Sequence, residues 1–335
     1  MKPLSIPQIV DLASAFYASA VLFAALDLRV FSALDHLAAP ADAAALASEL
    51  RVPLRGLRLL LDACVAAGLL VKNGDRYSNT EAGRLALVAG APADLSNAIR
   101  YNQDVYPAWG RLAEFVRSGR PVERPEVHLG DDAERTRRFA LAMRGRAFAI
   151  GRGVVPMLDL SGCSRILDLA GGPAAYAELM VRATPGLHCV TVDVPAIAAV
   201  ARECVAAAGL ANRIECRAGD YHRDEYEAGA YDAVTIFGAL HQESPDQIRG
   251  ILRRAHNALK PGGRIFVLDM MTDHTHAEPA FSALFAVNMA LTTENGWVFS
   301  DDELKGWLAE AGFVPGETRQ VPPPMPHWLV SAVRK

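Results

Sequence analysis

Hydrophobic and polar positions divide the chain into two unlike halves. From about residue 165 onward, short apolar runs alternate with longer segments of helical period. Strands apolar on both faces must be covered on both sides, so this alternation predicts a parallel sheet with helices against each face. The predicted strands are Arg165–Leu169, His188–Asp193, Ile214–Ala218, Tyr231–Phe237 and 264–269. The chain ends differently, with an apolar stretch at 313–318, a proline-rich turn at 322–326 and a last stretch at 328–333. That pattern predicts an antiparallel hairpin at the sheet edge.

The first half is helical. Over residues 8–37, Phe16, Tyr17, Val21, Leu22, Phe23, Leu26 and Leu28 are spread right around the helical wheel. A helix apolar on every side has to be covered on every side. A short N-terminal domain lacks the material to do this, so a second copy of the chain is the expected cover. Residues 41–80 then read as a helix at 42–50, a helix at 54–66 and two short strands around Lys72-Asn73-Gly74-Asp75, which is the outline of a winged helix. A winged helix often binds DNA, but here Arg51, Arg55, Arg58, Lys72 and Arg76 are nearly balanced by Asp42, Glu49, Asp62 and Asp75. That balance favours a dimerisation and substrate-lid module over a nucleic-acid binder. Residues 85–160 form a helical connector, interrupted at 118–132 by an irregular stretch rich in proline, arginine and glycine.

Composition narrows the choice of function. A chain of 335 residues exceeds the usual single domain, so two domains are expected. With 21% charged residues and a net charge of -4, it has no general attraction for phosphate backbones or anionic lipid. The most apolar run, 12–26, has 15 residues, short of the ~20 that a membrane helix needs. Lys2 stands before an apolar run broken by Pro7 and Asp11, which makes a poor secretory signal. The five cysteines are scattered, with no C-x-x-C pair, and fit a reducing cytoplasm. Nucleic acid, membrane and metal are therefore not expected partners.

The first predicted strand runs into Asp168-Leu169-Ala170-Gly171-Gly172-Pro173, a glycine turn that opens a helix. In a doubly wound sheet that turn lies beneath the ligand crevice. A dinucleotide would use the same place, with its pyrophosphate on a helix N-terminus. However, the full G-x-G-x-x-G is absent, and Pro173 lacks an N–H where a phosphate would want one. Acids also stand at successive strand ends: Asp168 after the first, Asp193 after the second and Asp220 after the third. A carboxylate accepts from a ribose diol, which suits Asp193, or from an adenine amino group, which suits Asp220. Such a rim tolerates a cationic sulfonium ligand and repels a pyrophosphate.

With these residues in place, the stretch 166–273 resembles the catalytic domain of class I S-adenosylmethionine-dependent methyltransferases. Leu167-Asp168-Leu169-Ala170-Gly171-Gly172 stands as its first motif, and Leu259-Lys260-Pro261-Gly262-Gly263 precedes the fifth strand. Together with the winged-helix start, the whole chain is similar to the small-molecule O-methyltransferases of plant phenylpropanoid and bacterial antibiotic-tailoring type. The resemblance implies S-adenosyl-L-methionine as cofactor, a small-molecule substrate and a homodimer. It assigns close backbone approach to Gly171 and Gly172, the ribose to Asp193, and adenine to Asp220 with Tyr221, while Ala170 stands where the family often has glycine. The implied fold is α/β: a C-terminal Rossmann-like sheet with an antiparallel edge hairpin, joined to a mostly α-helical N-terminal domain. The expected layout is a winged-helix-like dimerisation domain at 1–90, a helical connector contributing to the substrate pocket at 91–160, and the cofactor-binding catalytic domain at 161–335.

Methyl transfer to oxygen needs in-line alignment of the reacting atoms and removal of the acceptor's proton. A phenol has a pKa near ~10, as tyrosine does, so a base that titrates near neutrality assists. His241 follows the fourth strand and precedes Ser244-Pro245-Asp246-Gln247, a helix cap with proline at the first helical position and a capping-box glutamine. It therefore sits in a loop on the ligand-binding rim, where the resembled family has its catalytic histidine. An aspartate usually follows that histidine, and here Gln242 stands instead. Asp269, at the end of the neighbouring fifth strand, is expected to orient the imidazole. A second family acid is replaced by Val298, with Glu294 the nearest alternative. His327, like several other histidines, has no catalytic partner that the sequence identifies. Phe139 and Met143 share one helical face, and Phe281, Phe285 and Met289 another, each spaced by four residues. The resemblance makes these, with Asn288 and Trp297, candidates for the acceptor pocket. The resulting reading is O-methylation of an aromatic or polyketide-like hydroxyl. The cofactor motifs do not see the acceptor, so transfer to nitrogen or carbon stays open. So do a cofactor-binding relative that does not methylate and a winged-helix regulator.

Overall fold

The computed structural model describes residues 3–37, 40–91, 94–123, 130, 132–323 and 325–335. Residues 124–129 and 131 of the irregular stretch, with His128 among them, lie outside the described residues, as do Lys2 and Pro324. The chain divides into two compact units, Met1–Gln103 and Asp104–Lys335.

The first unit opens with α1 (Ile6–Ser14), α2 (Phe16–Asp27) and α3 (Val30–His36). The helical pattern read over 8–37 is thus broken. Arg29, at φ +56°, takes the left-handed conformation between α2 and α3, where a side chain crowds the backbone and an α-helix cannot continue. No residue of α1 is buried, and Leu4, Ile6, Ile9, Val10, Leu12, Phe16 and Tyr17 are between 51% and 80% exposed. Residues Ile6–Asp27 together make a 22-residue apolar run, long enough by length and composition alone to cross a bilayer, against the 15-residue run that the sequence suggested. The winged-helix outline follows as β1 (Ala41–Asp42), α4 (Ala43–Leu50), α5 (Leu54–Ala66), β2 (Leu70–Asn73), β3 (Arg76–Asn79) and α6 (Glu81–Ala86). The small sheet has the order β1-β3-β2. Asp42 caps α4, its side chain accepting from Ala45 N at 2.8 Å. Phe31, Leu46, Leu57, Leu61 and Tyr77 form the centre of this unit's core.

After α7 (Ser96–Trp109), in which the boundary between units falls, come α8 (Leu112–Ser118) and α9 (Ala133–Val154). The alternating part then runs β4 (Arg165–Leu169), α10 (Ala175–Ala183), β5 (His188–Asp193), α11 (Pro195–Ala207), β6 (Ile214–Ala218), β7 (Tyr231–Phe237), α12 (Pro245–Ala258), β8 (Leu259–Asp269), α13 (Ala280–Thr292), α14 (Asp301–Glu310), β9 (Phe313–Gln320) and β10 (Trp328–Arg334). The sheet order is β6-β5-β4-β7-β8-β10-β9. Strands β4 to β8 pair in parallel, and β10 and β9 add the antiparallel edge. The chain first builds outward from β4 to β6 and then returns to β7 beside β4, so the order reverses between β4 and β7 and a crevice opens there. Only β8 departs clearly from its predicted bounds: it starts at Leu259, which pairs with Tyr231 ahead of a register shift.

Period-two alternation sends side chains to the two faces of the sheet. Leu167, Leu169, Val234, Ile236, Ile265 and Val267 pack with α12 and α14. Ile166, Ala233, Phe237, Phe266 and Leu268 pack with α9 and α10. At the end of the sheet away from the crevice, Asp232 binds the strand starts together. Its Oδ2 accepts from Ser164 N, Ser164 Oγ and Arg165 N, each at 2.9 Å, and its Oδ1 lies 2.5 Å from Lys260 Nζ. Burial would push the Asp232 carboxyl up, but these donors together hold it well below its ordinary value of 3.8. A depressed carboxyl contributes stability above its unfolded pKa and loses it as pH falls through the folded one. Asp232→Asn is therefore expected to lower unfolding free energy at pH 7 by about 2 to 3 kcal/mol in urea denaturation, with the gap from wild type narrowing below pH 4.

Candidate active site

The turn after β4 is built on close approach. A Cβ added at Gly171 would stand 1.8 Å from Thr191 Oγ1 and 2.5 Å from Asp168 Oδ2, so no side chain fits there. Gly171 N–H donates to Val192 O at 3.2 Å, which seats the turn on β5. Gly172, at φ +55°, meets nothing within 4 Å on its Cβ side. Ala170 adopts φ +53°, a left-handed conformation that explains the glycine usual at this position in the resembled family. Asp168 is buried behind the turn, accepting from Thr235 Oγ1 at 2.6 Å, while its Oδ2, on the side of the Thr191 hydroxyl, makes no hydrogen bond of good geometry among the described residues. Burial pushes its carboxyl up to about 7.

Asp193 ends β5 one pleat away. Its Oδ2 accepts from Gly172 N–H and its Oδ1 from Val194 N–H, both at 2.8 Å. Burial raises its pKa to about 6, against the opposing pull of those two N–H groups. Each carboxylate oxygen has two lone pairs, so acceptor capacity remains for a diol. Asp220, half-exposed just past β6, accepts from His222 N at 2.9 Å. Tyr221 beside it donates to Glu243 Oε1 at 2.5 Å, and His222 Nε2 lies 2.7 Å from Glu243 Oε2. An open glycine turn with a buried carboxylate behind it and further acceptors along the rim fits a cationic nucleoside with hydroxyl and amino donors.

His241 lies in the short turn Leu240–Gln242 between β7 and α12. The Ser244 cap with Gln247 that the sequence indicated is present and starts α12. His241 Nδ1 stands 2.6 Å from Asp269 Oδ1, and the His241 backbone N donates to Asp269 Oδ2 at 3.2 Å. Met270 N donates to the same carboxylate at 2.8 Å. Asp269 is 1% exposed and His241 8%. Because Asp269 accepts at Nδ1, that nitrogen carries the hydrogen and Nε2 holds the free lone pair. This gives a base with an orienting carboxylate.

The structure treats the remaining predicted residues unequally. The Phe285 ring meets His241 edge-on at 5.1 Å and stacks with Phe281 at 6.4 Å, so the aromatic face of α13 does reach the histidine. Asn288 accepts from Trp109 Nε1 at 2.9 Å, which ties α13 to α7. Met289 is 3% exposed and belongs to the core. Phe139 packs with Ala140 against Ile197 and Val200 of α11, and Met143 is half-buried one turn along. Trp297 braces the histidine loop, donating from its backbone N to His241 O at 3.0 Å and from Nε1 to Glu243 O at 2.9 Å. Glu294 is exposed in the bend after α13, and the acid beside the histidine loop is Glu243, 4% exposed. Sequence reasoning missed Glu243 and Trp109; in each case the partner lies far away along the chain, and no local spacing announced it. Two open hollows of about 420 and 450 Å³, one along α5 and the other at the starts of β4, β5 and β6, hold none of the site residues.

Comparison with known proteins agrees with this geometry. Residues 109–314 match the model of the O-methyltransferase domain, and residues 10–89 match that of the O-methyltransferase dimerisation domain. The chain is 32% identical over 331 residues to the 3-hydroxy-5-methyl-1-naphthoate 3-O-methyltransferase of Streptomyces sahachiroi, covering 97% of this chain and 94% of that one. It is 28% identical to the N,N-dimethyltransferase OxyT of Streptomyces rimosus, covering 98% and 96%. Among solved structures, human N-acetylserotonin methyltransferase in complex with SAM superposes with a TM-score of 0.88 at 27% identity, covering 99% and 98%.

Cofactor affinity should report the state of Asp193. As pH rises from 5 to 7 its carboxyl, raised to about 6, loses its proton and becomes a full acceptor. S-adenosylhomocysteine binding measured by calorimetry should tighten over that range, by up to about tenfold per pH unit below 6. Asp193→Ala should weaken binding at pH 7 by about 1.5 to 3 kcal/mol and flatten that slope.

Proposed function

This chain belongs to the S-adenosylmethionine-dependent O-methyltransferases that carry their own dimerisation domain, and we propose that it methylates a hydroxyl of a small aromatic metabolite with His241 as general base. The observation that carries the proposal is the buried 2.6 Å contact between His241 Nδ1 and Asp269 Oδ1, beside the edge of Phe285. The relatives' own acceptors, a hydroxynaphthoate and an acetylated serotonin, are aromatic hydroxyl compounds.

When bound, S-adenosylmethionine supplies an electrophilic methyl group on a sulfonium. Gly171 and Gly172 would leave backbone room for it, Asp193 would accept from its ribose, and Asp220 with Tyr221 would hold its adenine. Asp168 stays behind the turn, its buried Oδ2 adding negative potential beneath a positive ligand. On the acceptor side, Phe285, Phe281 and Met143 offer apolar surface. His241 Nε2 takes the hydroxyl proton as the oxygen becomes the nucleophile, and Asp269 holds the ring in the one tautomer that leaves Nε2 free.

The bare apolar side of α1 and α2 belongs in the dimer interface. Exposed rows of Ile, Leu, Val, Phe and Tyr of this extent are covered in a working protein, and residues 10–89 match the dimerisation domain. That contact also accounts for the long apolar run at Ile6–Asp27 without a bilayer. Methyl transfer to nitrogen is the second reading, favoured by the likeness to the N,N-dimethyltransferase, and an unprotonated amine would need His241 far less.

His241→Ala should lower kcat by ~10²- to 10⁴-fold on a phenolic acceptor and leave S-adenosylhomocysteine affinity near wild type. The deficit should shrink as pH approaches the acceptor's own pKa, because a phenolate needs no base. Asp269→Asn should give a smaller loss. Near-wild-type turnover by His241→Ala at neutral pH would remove the base and favour the amine reading. Ile9→Asp with Phe16→Asp should convert the dimer to monomer or aggregate in sedimentation at micromolar concentration, and an unchanged dimer would place the interface elsewhere.

A further inference from the structure

His327 stands immediately before β10, whose first residue, Trp328, pairs across the sheet with Asp269. Val321 N–H donates to His327 O at 2.9 Å across the proline-rich turn, so the backbone of His327 is held at the rim, one residue from the cross-strand partner of the carboxylate that orients His241. His327 is 5% exposed, and its Nδ1 is enclosed with no hydrogen-bond partner among the described residues. Burial pushes its pKa down to about 4, with Arg146 and His241 adding to the fall and Asp269 opposing it. The ring is therefore neutral at pH 7, and it lies within electrostatic reach of His241 and Asp269 and of Arg146 on α9. An enclosed polar nitrogen without a partner costs about 1 to 3 kcal/mol, and natural proteins keep such groups where a ligand or a moving proton uses them.

We infer that His327 belongs to the acceptor site and hydrogen-bonds a second oxygen substituent of the acceptor, on the carbon next to the hydroxyl that is methylated. This rests on the reading of an aromatic acceptor at His241. A neutral imidazole offers one donor and one acceptor, and a half-turn of the ring exchanges the edges that carry them. It therefore recognises a hydroxyl or carbonyl and does not demand an anion. A phenol with a single oxygen leaves it unsatisfied, whereas a vicinal diol or hydroxy-carbonyl compound occupies both histidines at once. His327 thus acts as a positioning and selecting residue, and His241 as the base.

The test is calorimetric binding of 2-naphthol and of 2,3-dihydroxynaphthalene to the protein loaded with S-adenosylhomocysteine, alongside initial rates of methylation of both with S-adenosylmethionine. Wild type should bind the diol about tenfold more tightly, the worth of one hydrogen bond in a closed site. His327→Leu should bring that ratio near one, His327→Asn should keep part of it, and S-adenosylhomocysteine affinity should be unchanged in both. Should His327→Leu not fold, His327→Phe carries the same expectation. A wild-type ratio near one, a ratio that survives in the apolar variants, or a failure of wild type to bind either naphthol overturns the inference. A binding ratio lost in His327→Leu while wild type transfers no methyl to either naphthol keeps it and sinks the oxygen-methylation reading instead.

Discussion

Parallel pairing in register of β4, β5, β6, β7 and β8 is the constraint from which the site follows. Asp168 pairs with Thr191 on one side and Thr235 on the other, Asp193 with Ala218, and Phe237 with Leu268. Five strands running the same way must end on one rim, and the helices that follow them must begin there. Residues far apart along the chain thus meet because each stands at or within a few places of a strand end. The glycine turn is the tightest expression of this constraint. Thr191 of β5 and Asp168 of β4 approach Gly171 so closely that the chain can pass only without a side chain.

Crowding carboxyls onto a partly dry rim has an electrostatic consequence. Asp168 and Asp193 are both raised by burial, to about 7 and about 6, so a positive charge placed beside them would favour their ionised forms and a negative one would oppose them. Glu243, almost wholly buried, is held instead by the Tyr221 hydroxyl and the His222 ring. Trp297 bonds to the carbonyls of both His241 and Glu243. The Tyr221–His222 edge and the histidine turn are therefore parts of one hydrogen-bonded frame.

The N-terminal unit obeys a different constraint. Its own core, centred on Phe31, Leu61 and Tyr77, is closed, yet α1 and much of α2 contribute nothing to it. An apolar helix pair that one chain leaves uncovered makes association part of folding, since the surface has to be removed from water somewhere. Residues 10–89 match the O-methyltransferase dimerisation domain, and the interface proposed on α1 and α2 would remove this surface from water.

Local patterns determined a good deal. Alternation located β4 to β7 at their observed bounds, the glycine pair marked the turn, and Ser244 with Gln247 marked the start of α12. Once β7 and β8 were taken as neighbours, the pairing of His241 with Asp269 was legible too, because adjacent parallel strands end side by side. Tertiary structure alone decided which polar atoms share a partner. Trp297, a wall candidate by resemblance, proved to brace the histidine turn; Asn288 was claimed by Trp109; Glu294 stayed exposed while Glu243 turned inward; and His327 came to precede Trp328, the cross-strand partner of Asp269. Spacing along a helix or strand fixes only which face a side chain occupies. What that side chain meets depends on sheet order and register, which join residues dozens of positions apart and leave no trace in the sequence immediately around them.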